Sequence, residues 1–203
     1  NKNAEMLHIL PHWTWPGREG EVTPVFVYTN YPTAELFING KSYGKQSKNN
    51  SSLKSRYRLM WMDAVYEPGE VKVVAYNKDG KAVAEKTVRT AGKPHHIELV
   101  SNRNELTADG KDLAYVTVKV VDKDSNLCPT DSRLIHFSVK GAGKFRAVAN
   151  GDPTNLEQFH LPKMHAFHGM LTAIVQAGEI AGDLVLTAKA SGVKTGTVHL
   201  QAK

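Results

Sequence analysis

The chain has 203 residues, 41% of them hydrophobic and 23% charged, with one cysteine, Cys128, and a formal charge of +6. One thiol excludes an intrachain disulfide, and no apolar run approaches the roughly 18 residues of a membrane helix. The basic excess is spread out, 13 basic against 9 acidic groups in residues 1–92 and 13 against 11 in residues 93–203, so it reads as solvated surface lysine and not as a nucleic-acid footprint.

The chain opens on "NKNAEMLHIL", without Met and without the basic–apolar–small pattern of a signal peptide. It reads as a piece of a longer protein whose address signal lies upstream. Next comes "HILPHWTWPGREG", the densest cluster of rings in the sequence, holding His12, Trp13 and Trp15. In an extended segment Trp13 and Trp15 project to the same face. Two such indoles suit either burial in a core or interface, through their large apolar area, or stacking on a sugar ring.

From there the hydrophobic period is two nearly everywhere. "TPVFVYTN", "AELFING", "SRYRLMWM", "VKVVAYN" and "KAVAEKTVRT" read as strands, each closed by turn residues, with Trp61 in the core. Asn39-Gly40 marks a two-residue type I′ hairpin, which needs positive φ at both positions. "EPGE" and "NKDGK" are further turns. "TAGKPHH" interrupts the pattern, and a domain boundary is placed there, giving domains 1–92 and 93–203.

The second half repeats the grammar in "HIELV", "LAYVTVKVVD", "LIHFSVK", "GKFRAVAN", "GMLTAIVQA", "GDLVLTAKA" and "TGTVHLQA", with one long irregular stretch at Gly151–His168. No segment carries a convincing amphipathic helix. The expected fold class is all-β, as two tandem immunoglobulin-like β-sandwich domains.

Motifs that carry chemistry are weak. "VDKDSN" opens like a calcium loop, but Leu127 replaces the sixth-position glycine and Arg133 the twelfth-position acid, so turn chemistry is expected. His160, His165 and His168 fit no usual zinc spacing, and no metal or other cofactor is assigned. His95 and His96, if extended, point to opposite faces and cannot act as one pair. Cys128 has no base beside it. "KNNSS" holds glycosylation sequons at Asn49 and Asn50, meaningful only in a eukaryotic host. No catalytic residue is assigned.

"HILPHWTWPGREGEVTPVFVYTNYPTAELFINGKSYGK" and "YEPGEVKVVAYNKDGK" resemble the module after the catalytic barrel in glycoside hydrolase family 2 enzymes, chiefly bacterial β-galactosidases. "IELVSNRNELTADGKDLAYVTVKVVDKDSNLCP", "NGDP" and "GDLVLTAKASGVKTGTVHL" resemble the C-terminal immunoglobulin-like domain of the same enzymes. Relatives often read "HWNWEG", so Thr14 and Pro16 depart from the pattern.

The resemblance implies a retaining glycosidase whose two glutamates stand about 5–5.5 Å apart on a (β/α)8 barrel of roughly 250 residues. That barrel is not in this sequence, so no catalytic residue carries over. The resemblance further implies a non-catalytic accessory region with the barrel as partner, possible contact with galactoside-containing glycans, and export to the periplasm or beyond. In that reading His12, Trp13 and Trp15 make an interdomain or glycan contact. The alternatives are a carbohydrate-binding module using Trp13 and Trp15, or an adhesin-like spacer.

Overall fold

The structure is a computed structural model that describes residues 5–203. Sixteen strands and no helix occur among the described residues. The chain divides into two compact units, one ending at Thr90 and one beginning at Ala91.

The first unit packs a three-stranded sheet against a four-stranded one. The first sheet holds β1 (Leu7–Leu10), β2 (Val25–Thr29) and β5 (Arg58–Trp61), in the order β1-β2-β5. The second holds β3 (Thr33–Ile38), β4 (Lys41–Ser47), β6 (Glu70–Tyr76) and β7 (Ala82–Arg89), in the order β4-β3-β6-β7. Alternate residues point inward, so Ile9, Val25, Val27, Leu59 and Trp61 meet Leu36, Ile38, Val71 and Val73 in one buried cluster. Each such side chain contributes about 1.5–3 kcal/mol when fully buried.

The β3–β4 hairpin turns at Asn39 and Gly40, with φ of 48° and 81°, as a type I′ turn requires. Asn39 does more than turn the chain. Its Oδ1 accepts the Glu70 amide at 2.8 Å, and its Nδ2 donates to the Pro68 carbonyl at 3.2 Å, so this turn is stapled to the "EPGE" turn. "SRYRLMWM" yields a shorter strand than its alternation suggests, because residues 51–57 are spent on turns and bends.

The second unit packs a four-stranded sheet against a five-stranded one. The first holds β8 (His96–Ser101), β10 (Leu113–Val121), β12 (Gly143–Ala149) and β14 (Met170–Ala177). The second holds β9 (Glu105–Leu106), β11 (Leu134–Gly141), β13 (Lys163–His165), β15 (Gly182–Lys189) and β16 (Gly196–Ala202). The orders are β12-β14-β10-β8 and β13-β11-β15-β16-β9. Ala114, Val116, Val118, Leu171, Ala173 and Val175 face Ile135, Phe137, Leu184, Leu186 and Leu200 across the core. The irregular stretch Gly151–His168 contains one element that its composition hides: β13 pairs with β11 and sets Met164 in the core.

Candidate functional site

The ring cluster near the N-terminus is divided by depth. β1 stops at Leu10, and residues 11–20 run through turns and bends instead of continuing as a strand. Trp13 and Trp15 therefore do not share a face. Trp13 is 1% exposed within the core of the first unit. Its Nε1 donates to the Glu67 carbonyl at 2.9 Å, and its ring meets Tyr66 edge-on. Trp15 is half-buried at the surface. Its ring stacks on His12 at 4.0 Å and 25°, its Nε1 donates to the His12 carbonyl at 2.9 Å, and the Arg18 guanidinium lies 5.4 Å from its centroid. The Thr14 amide donates to Nδ1 of His12 at 3.3 Å, which leaves Nε2 to carry the proton of the neutral ring.

The chain enters this cluster from β1, whose sheet carries a second feature. The register pairs His8 with Tyr28 and Tyr28 with Arg58; in the next row Leu10 pairs with Phe26 and Phe26 with Met60. All six residues lie on the side opposite the buried Ile9, Val27 and Leu59. One row of this outer face is thus wholly apolar. Leu10 is 42% exposed, and the Arg58 guanidinium rests 5.4 Å from the Phe26 ring while Nη1 donates to the Tyr28 hydroxyl at 3.3 Å. Met6 and Met62, exposed just beyond β1 and β5, continue the same parity.

The outer face of the companion sheet is different. There Glu35 accepts from the Ser42 and Tyr76 hydroxyls at 2.7 and 2.9 Å, and Lys45 lies 4.0 Å over the Tyr76 ring. Hydrogen bonding from Ser42 and Tyr76, with Lys45 nearby, outweighs desolvation and holds the Glu35 carboxyl below its usual range. That face mixes charge with apolar groups, since Phe37, beneath Lys72, and Val74, opposite Glu35, lie on it as well. The β1-β2-β5 face differs in holding a row that is apolar throughout, the pattern of a sheet covered on both sides. The residues singled out in the sequence omitted Leu10, Phe26 and Met60. Their signal was present in "VFVY" and "LMW", which are apolar at adjacent positions.

Other sequence candidates resolve into local structure. Asp122 Oδ1 accepts the amides of Asp124 and Asn126, each at 2.9 Å, so "VDKDSN" is an Asp-centred turn. The Cys128 thiol is pushed up to about 11 by burial first and by Asp122 and Asp131 next, the reverse of what a nucleophile needs. His165 pairs with Glu157 at 3.1 Å, and His168 Nδ1 lies 3.3 Å from the Pro129 carbonyl. No group of three or more His, Cys, Asp or Glu side chains converges as a metal site among the described residues. The expectation for His95 and His96 is corrected. Their Nδ1 atoms lie 3.0 Å apart, because β8 begins only at His96 and His95 precedes it, where strand alternation does not apply.

The second unit matches the glycoside hydrolase family 2 C-terminal domain 5 over residues 97–199. The chain belongs to glycoside hydrolase family 2. Residues 20–84 of this family 2 chain match a domain of unknown function, DUF4982. Beta-galactosidase BoGH2A of Bacteroides ovatus is 40% identical over 202 residues, which are 99% of this chain and 23% of that protein. A putative beta-glucuronidase of Formosa agariphila is 33% identical over 149 residues, 73% of this chain and 14% of that one. A beta-glycosidase structure from Bacteroides vulgatus superposes with a TM-score of 0.89 at 31% identity, covering 98% of this chain and 25% of that one. The chain thus spans about a quarter or less of the length of these relatives.

Proposed function

We propose that this chain is a non-catalytic accessory region of a β-galactosidase-like family 2 enzyme. Its first unit docks on the catalytic (β/α)8 barrel through the outer face of β1-β2-β5. The apolar row Leu10–Phe26–Met60, continued by the exposed Met6 and Met62, carries this reading, since a contiguous apolar strip on the outer face of a sheet marks an interaction surface. His12 and Trp15, which follow Leu10 in the chain, are assigned to the same contact, and Trp13 anchors their segment in the core. On this reading the parent enzyme acts on a galactoside, as the likeness to a β-galactosidase of Bacteroides ovatus suggests, and works after export.

Side-chain footprinting tests the docking. In the chain alone, Leu10, Phe26, Met60 and Met62 label readily; joined to the remainder of its parent enzyme, they are protected while Lys45 and Tyr76 are not. Equal labelling in both contexts refutes the reading.

A glycan-binding role has one indole to work with, because Trp15 reaches the surface and Trp13 does not. A saturable fluorescence change with galacto-oligosaccharides, lost in Trp15→Ala, would favour that role over docking.

A further inference from the structure

We propose that His95 and His96 form a two-imidazole chelate for a divalent transition ion that prefers square or tetragonal coordination, of the copper(II) or nickel(II) kind. The site lies wholly in the second unit, and its two histidines fall just before residues 97–199, which match the family 2 C-terminal domain.

The first argument is the bite. The two Nδ1 atoms are 3.0 Å apart, on rings crossed at 87°. An ion about 2.05 Å from each nitrogen then subtends an angle of about 95°, close to the right angle of cis ligands in a tetragonal field. Tetrahedral zinc needs roughly 3.4 Å between the same atoms. The spacing matches the square geometry better than the tetrahedral one.

The second argument is the tautomer. Glu98 Oε1 stands 3.5 Å from Nε2 of His96. A carboxylate there favours a proton on Nε2 and leaves the Nδ1 lone pair turned toward His95, the support that metal-bound histidines commonly receive from an acid behind them. With that tautomer the ion-free pair is joined by one hydrogen bond, donated by Nδ1–H of His95 to the bare Nδ1 of His96. When an ion enters, the Nδ1 proton of His95 moves to its own Nε2 through water. Both Nδ1 lone pairs then bind the ion, and no net proton leaves a neutral pair.

The third argument is preorganisation. The His95 amide donates to the Val121 carbonyl at 2.8 Å, its carbonyl accepts the Lys194 amide at 2.9 Å, and Ile97 donates to the Lys194 carbonyl at 3.1 Å. The backbone of the pair is held before any ion arrives. Both rings are half-buried, so water reaches the remaining coordination positions.

The test is titration of the chain with copper(II) alone at pH 7.4. One equivalent binds, the electron paramagnetic resonance spectrum shows two equatorial nitrogens, and substoichiometric copper broadens the ring resonances of His95 and His96 before those of the other histidines. His95→Asn and His96→Asn each weaken binding at least tenfold, Glu98→Gln weakens it several-fold, and His165→Asn leaves it unchanged. Copper that binds equally well to both single variants, or broadens other histidines first, overturns the proposal. If a variant loses its fold, the broadening pattern of the unsubstituted chain decides alone.

Discussion

The Trp13 indole meets the Tyr66 ring edge-on, with centroids 5.2 Å apart at 71°, and the Tyr66 hydroxyl accepts the amide of Trp15 at 3.1 Å. One tyrosine therefore holds both tryptophans, one by its ring and the other by its oxygen. Thr90 closes the arrangement from the far end of the unit, donating to the Trp13 carbonyl at 2.5 Å.

This division of labour predicts unequal costs. Trp13→Ala should destabilise the first unit by about 3–5 kcal/mol, the usual range for emptying a packed aromatic site. Trp15→Ala should cost about 1–2 kcal/mol, since it removes a half-exposed stack on His12 and the Nε1 hydrogen bond to the His12 carbonyl but keeps the amide bond to Tyr66. Urea denaturation followed by the emission of the two remaining tryptophans measures both. Equal losses would mean the two indoles are equivalent in the fold.

Asp122 links the start of the second unit to the end of β10. Its Oδ2 accepts the Gly92 amide at 2.7 Å, in addition to the amides at its own turn. Burial pushes its pKa up, but the donors from Gly92, Asn126 and Asp124 outweigh burial and the net shift is downward. A lowered folded-state pKa stabilises the protein above the unfolded value of about 3.9 and ceases to do so as pH falls through the folded value. Acid titration should show the second unit losing stability below pH ~4, and Asp122→Ala should flatten that slope while costing about 3 kcal/mol at pH 7.

Cys128 should be inert. With its thiol pushed up to about 11, an aromatic disulfide reagent at pH 8 should react slowly with the native chain and at an ordinary rate in urea. Fast native reaction would show that the thiol is not shielded in solution.

Glycines on either side of the Asn39 staple should differ. Gly40 has φ of 81° and open space where an added methyl would sit, so Gly40→Ala should cost about 1 kcal/mol from backbone strain alone. A Cβ on Gly69 would meet Asn39 Oδ1 at 2.0 Å and displace the side chain that binds Glu70. Gly69→Ala should cost about 2–3 kcal/mol, combining strain with a lost hydrogen bond. Thermal melts of the two variants compare them directly.

The strand grammar was legible in the linear chain. Period-two alternation and turn residues such as Asn39-Gly40 are local, because side-chain direction and positive φ are set within a few residues. The likeness to family 2 was legible for the same reason, as linear motifs. The remaining features arose only on folding. The apolar row joins Leu10, Phe26 and Met60 because strands far apart in sequence pair in one register. Trp13 went inward and Trp15 outward because β1 ends before them. His95 and His96 met because one lies in a strand and the other just outside it. Pairing register and the place where a strand stops depend on contacts across the whole sheet, and no window of adjacent residues contains them.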